Sequence, residues 1–171
     1  MLPAGSGGES KNGSYHNTPG YKKMKKIICL LLIIIVFTAF YLWRDNISVN
    51  IIAIHQNKYT AEILVDRLPL TEKSRIKWWV DNRKEIEGKN HMASYENGGP
   101  DYITIFKFGD GYKKKGKKDR LCFDDMDTET NCIDKDILMT ISRTREGLER
   151  FTFSDSSYVI SKDGVIKPEL N

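Results

Sequence analysis

The chain has 171 residues, 40% of them hydrophobic and 29% charged, with a net charge of +4. That length allows one ordinary domain beside a membrane anchor, but not two. The excess charge does not signal nucleic acid. Residues 1–43 carry five basic groups and one acid, and residues 44–171 carry 22 of each, so the surplus flanks one apolar run and the rest of the chain is neutral.

Residues 1–23 are rich in Gly, Ser, Asn and Pro and offer almost no large aliphatic side chains. Such a segment buries too little apolar surface to order itself. Met24-Lys25-Lys26 has the form of a natural start, so residues 1–23 read as an upstream extension or a disordered cytoplasmic tail. Ile27 to Trp43 follows, with no charge and no proline, and twelve of its seventeen residues are Leu, Ile, Val or Phe. These favour insertion into a bilayer by roughly 4–7 kcal/mol. As a helix the run is about 26 Å long, close to the ~30 Å hydrocarbon core. A cleaved signal peptide requires small residues at its end, and Phe40, Tyr41, Leu42 and Trp43 stand there instead. Residues 24–44 therefore read as an uncleaved anchor that contacts lipid through Ile27–Trp43. Lys22, Lys23, Lys25 and Lys26 precede the run and only Arg44 follows it directly. The lysine side stays cytoplasmic, which places residues 45–171 across the membrane.

Beyond the anchor the pattern turns to strands. Ile47–His55 and Tyr59–Asp66 flank a turn at Gln56-Asn57-Lys58 and read as a hairpin that Pro69 ends. Thr71 is the expected N-cap of a helix, with Leu70 before it as a staple residue. Ile76, Trp79, Val80, Arg83 and Ile86 then recur at helical spacing, and Gly88 reads as the stop. Trp79 is the expected core anchor. Trp78 lies off that face, placed either to cover a strand edge or to meet a partner. Residues 89–101 are a loop by composition, and Tyr102–Phe108 is a strand broken by Gly109-Asp110-Gly111. A lysine-rich excursion, Lys113–Lys118, precedes a short strand at Arg120–Phe123 and an acidic loop running to Cys132. Ile137–Thr144 and Leu148–Ser154 flank a turn at Arg145-Glu146-Gly147. Ser157–Ser161 and Val165-Ile166 flank another at Lys162-Asp163-Gly164. The fold class is α+β: one N-terminal transmembrane helix, then a small, mainly antiparallel domain of six to eight strands with one packed helix.

Cys29 lies inside the apolar run and reads as an inert small hydrophobe. Cys122 and Cys132 lie close together in the exported part, where an oxidising compartment favours a disulfide. A single pair at this spacing lacks the ligands for a metal site. His16, His55 and His91 are scattered, fit no metal or triad spacing, and read as solvated or structurally paired. The loop Asp124, Asp125, Asp127, Glu129 invites comparison with a calcium loop. However, Thr130 stands where the turn requires Gly, and Asp136 replaces the bidentate Glu. No metal and no cofactor is expected, and no nucleophile motif is present. The lysines Lys113, Lys114, Lys115, Lys117 and Lys118, together with Asp124, Asp125, Asp127 and Trp78, are the expected partner-binding residues. Opposite charges so close in sequence steer a partner and set its register.

Several blocks carry a resemblance: the short lysine start with its single apolar run, IKWWVDNRKEI (Ile76–Ile86), FGDGY (Phe108–Tyr112), DRLCFDDM (Asp119–Met126) and NCI (Asn131–Ile133). From Met24 onward the chain resembles the enterobacterial putative membrane protein family, DUF943. The resemblance implies a small inner-membrane protein and assigns no catalytic residues. Together these readings predict a membrane-tethered periplasmic module that binds a protein partner, with an immunity-type protein as one specific form. A structural or envelope-assembly component is the alternative, and an enzyme is less favoured.

Overall fold

The computed structural model describes residues 19–45, 48–90, 92 and 98–169. The chain divides into two compact units, Met1–Leu42 and Trp43–Asn171. The first holds most of helix α1, Pro19–Asp45. Proline suits the opening of a helix, where its missing N–H has no partner to lose. The helix contains one segment long and apolar enough to cross a membrane, Lys23–Trp43. Its 21 residues span about 31 Å as a helix, and none of them is buried within the protein. Residues 19–23, read from sequence as part of an unordered extension, belong to this helix. The rest of that extension lies outside the described residues.

The second unit is α+β. Its strands are β1 (Ile51–Gln56), β2 (Thr60–Val65), β3 (Tyr102–Lys107), β4 (Arg120–Cys122), β5 (Cys132–Asp134), β6 (Ile137–Arg143), β7 (Glu149–Thr152), β8 (Ser157–Ile160) and β9 (Ile166–Pro168), with helix α2 at Glu72–Lys89. Seven strands form one sheet in the order β1-β2-β3-β6-β7-β8-β9, and β4 and β5 form a separate pair. Every pairing is antiparallel except β2 with β3, which α2 connects as a crossover. That parallel pair is not apparent from the strand pattern. Nor is β5, which sequence reading leaves as the end of the acidic loop.

The sheet is covered on both faces. Ala61, Ile63 and Val65 of β2 point to the α2 side, where they meet Ile76, Trp79 and Ile86 of the helix and Ile105, Met139 and Phe151 of neighbouring strands. Leu64 and Phe106 point to the other side and pack with Phe123 and Ile133 around the β4–β5 pair. Burial on both faces explains why β2 lacks a clean polar alternation.

Strand β1 is shifted in register between Ile51 and Ala53, which leaves Ile52 as a bulge. The bulge resets the alternation, so Ile51 and Ile54 both face the α2 core while Ala53 and His55 face the opposite side. The β1–β2 turn is closed by Asn57, whose Oδ1 accepts from the N–H groups of Tyr59 and Thr60 at 2.8 and 2.9 Å. The turns joining β6 to β7 and β8 to β9 use Gly147 and Gly164, both at φ +79°, a conformation that favours glycine.

Helix α2 starts as expected: the Ser74 N–H donates to Thr71 Oγ1 at 3.1 Å. It runs through Gly88 to Lys89, so that glycine is not the stop. Asn90 ends the helix, donating from both its backbone N–H and its side chain to the Ile86 carbonyl. The buried stripe is Ile76, Trp79 and Ile86. Val80 is 47% exposed, while Trp78 is half-buried against the core. The stripe is therefore rotated from its expected position.

Candidate functional site

The sheet face opposite α2 carries a layer built from residues 108–134. Its frame is the β4–β5 pair, in which Cys122 stands directly opposite Cys132 and the two are bonded. Lys113 extends this pair: its N–H donates to the Cys132 carbonyl at 2.7 Å, and the Cys132 N–H donates to the Lys113 carbonyl at 3.0 Å. Phe123 and Ile133 anchor the layer to the sheet.

At its centre is a histidine with every polar atom engaged. His55 is 7% exposed. Its ring stacks on Phe123, with centroids 3.7 Å apart and planes 13° from parallel. Nδ1 lies 2.8 and 2.9 Å from the two carboxylate oxygens of Asp125, and Nε2 lies 2.7 Å from the Tyr112 hydroxyl. A carboxylate only accepts, so Nδ1 is the donor to Asp125, and in the neutral tautomer with that proton Nε2 accepts from the tyrosine O–H. Burial, and then the Asp125 charge, push the Tyr112 phenol above its usual pKa. Tyr112 is thus a protonated donor at neutral pH and not an activated nucleophile. His55 is 57 and 70 residues from Tyr112 and Asp125, and sequence reading does not join them. The available signal is His55 in an otherwise uncharged, β-branched strand, where a lone polar side chain on the buried phase requires partners.

Beside His55 a cleft of about 430 Å³ opens, lined by Gln56, Asn57, Glu62, Phe123, Asp124 and Asp125 among others. It carries three carboxylates and no lysine or arginine. Among the described residues no set of three His, Cys, Asp or Glu side chains is arranged to hold a metal ion.

The expected partner-binding charges fall into two groups. Asp134 collects Lys113 at 2.8 Å, Lys118 at 3.1 Å and Arg120 at 3.0 Å. These hydrogen bonds, with that from Lys113 the largest, hold its carboxyl well below the usual carboxylate range. Lys114 pairs with Glu129 across the layer. Asp125 is engaged by His55 and is not a free acid of the loop. What remains is Lys115, Lys117, Asp124 and Asp127, all exposed. Trp78 is not brought to this surface. It sits on the α2 side of the sheet, in a groove with Val49, Ile51 and Ile52. His16 and His91 lie outside the described residues.

No curated protein and no solved structure matches this chain. A family model does, over residues 21–168, starting three residues before Met24 and covering 148 of the 171 residues. With its N-terminal apolar helix and the α+β domain that follows, the chain belongs to the family described as enterobacterial putative membrane protein, DUF943.

Proposed function

We propose that the chain is a single-pass inner-membrane protein with its N-terminal end in the cytoplasm, and that residues 45–171 form a periplasmic domain that binds another protein. Three features support the location: the lysines before the span, the single arginine directly after it, and a disulfide, which persists in oxidising compartments. The binding role rests on one observation. The layer over the β4–β5 pair neutralises most of its charges internally and leaves Lys115, Lys117, Asp124 and Asp127 exposed, on a framework clamped by a disulfide and a buried histidine. A rigid surface with both signs displayed selects a partner's orientation more than it adds affinity. An immunity-type protein that neutralises a toxin at the membrane is the specific form of this reading. An envelope-assembly component is the alternative, and the identity of the captured partner separates the two.

The test is cross-linking in intact cells. The wild type should capture a specific protein, and replacing Lys115 and Lys117 with Ser should abolish that species while the fold is retained. These two lysines are chosen because Lys113 and Lys118 hold Asp134. A wild type that captures nothing specific overturns the reading.

A second reading, acid–base catalysis, draws on Tyr112, His55 and Asp125. It is the weaker one. Both ring nitrogens are already bonded, the ring is buried, and the tyrosine is harder to ionise than usual. Turnover of an envelope substrate by the purified protein, lost in Tyr112→Phe, would favour it.

A further inference from the structure

The large sheet has two outer edges, and they are treated differently. An exposed edge strand presents unpaired backbone groups, and proteins guard it with charge, proline or a bulge. The β9 edge carries Lys167 and Pro168. The β1 edge, IIAIHQ, carries neither, and no Lys, Arg, Asp or Glu occurs from Asn46 through Asn57. Among the described residues its guard is the bulge at Ile52, which leaves Ala53 to Gln56 in regular register with β2. Among the described residues no strand pairs with the outer side of β1.

Alongside this edge runs a groove of about 370 Å³ between β1 and α2, lined by Val49, Ile51, Ile52, Trp78 and Ile86. Glu85 and Lys89, which also border it, pair with each other. The groove also carries the side chains of Asn50, Asn82 and Asn90, so it offers apolar contacts beside neutral amides and no net charge, which admits an uncharged, β-branched strand. Strand β1 is itself such a strand.

We propose that two copies of the chain pair through their β1 edges, antiparallel about a two-fold axis, and that apolar side chains of each incoming strand enter the partner copy's groove against Trp78. An isologous contact places the same patch on both sides. Because β1 has no charged residue, that self-pairing meets no like-charge repulsion. A contact made through one six-residue strand is short, and a stable interface between freely diffusing proteins buries ~1,000 Å² or more. Confinement of both copies to one membrane by α1 compensates by raising their effective concentration. Trp78 is the expected hot spot, as a half-buried tryptophan in a pocket at the contact. The groove lies on the α2 side of the sheet, away from the charged layer; Gln56 borders the cleft on the charged side, and the mass of the cross-linked product separates a second copy from the partner proposed there.

The experiment uses the full chain in native membranes, with a photo-cross-linking residue at Gln56 or, separately, at Lys167. The Gln56 probe should give a covalent dimer of twice the chain mass, and the Lys167 probe on the guarded edge should not. Ile52 is 47% exposed, so Ile52→Lys is compatible with the fold. Placed beside the Gln56 probe, it should lower dimer yield by about fivefold or more, as a charge set into a strand pair would. Retention of the Cys122–Cys132 bond and of the thermal melt verifies folding, and Ile52→Ser replaces the lysine variant if the melt is lost. The proposal is overturned by absence of the dimer, by equal dimer from both probes, by capture of a different protein alone at Gln56, or by a dimer indifferent to Ile52 replacement in a folded protein.

Discussion

His55 shows how much one side chain organises. Its ring joins β1 to the loop after β4 through a carboxylate and a stacked phenylalanine, and to the segment before β4 through a phenol. Tyr112 reports on that contact. Burial is the larger cause of its raised pKa and the Asp125 charge the smaller. In Asp125→Asn the phenol should therefore ionise at lower pH than in the wild type, yet still above an ordinary tyrosine. Ultraviolet titration of the variant measures this, and an unchanged Tyr112 would show that Asp125 does not face it in solution. Asp134 offers a second residue-scale test. Its folded pKa is depressed, so its contribution is present above the unfolded value of ~3.9 and lost as pH falls through the folded value. Asp134→Asn should be less stable than the wild type at neutral pH, and the difference should shrink below about pH 4. Denaturant melts across pH 2–7 read the gap directly, and a gap that widens in acid contradicts the ion cluster.

Among the elements, the β4–β5 pair depends most on a covalent bond. Each strand has three residues, and a two-stranded ribbon of that size is marginal in water by itself. The disulfide closes a short loop and stabilises the domain by roughly 2.8 kcal/mol in the chain-entropy model. Thiol labelling of the unfolded, unreduced protein should mark Cys29 and neither of the others. Cys122→Ser should lower unfolding stability by a few kcal/mol at most, because Phe123 and Ile133 still anchor the layer. Labelling of three cysteines would show the pair to be free. Helix α2 teaches a related lesson. Gly88 is a weak helix former, but Asn90 completes the C-terminal turn, so the helix passes through the glycine.

For the whole chain, the proposed orientation makes one decisive prediction. A phosphatase reporter active only outside the cytoplasm, fused after Asn171, should be active. The basis is the charge asymmetry around Lys23–Trp43. An inactive reporter in a well-expressed fusion would reverse the topology and remove the proposed periplasmic partner. At this scale the seven-stranded sheet also separates two surfaces that look interchangeable in sequence. Trp78 lies with α2 on one side, and the lysine and acidic segments lie with β4–β5 on the other.

The apolar span, the hairpin turns at Gly147 and Gly164, the Thr71 cap and the α+β class can all be read along the chain, because each depends on neighbours within a few residues. The cysteine pairing is legible for the same reason, with only a short loop between the partners. The Tyr112–His55–Asp125 contact is not legible. Its members are 57 and 70 residues apart from His55, and only the packing of the β4–β5 layer on β1 brings them together. The same packing determines which charges remain at the surface: Asp134 gathers three cations, and His55 takes Asp125. The parallel pairing of β2 with β3 arises when α2 covers one face of the sheet and carries the chain back to its starting side. Local propensity sets where elements form. Long-range burial sets which of their side chains meet.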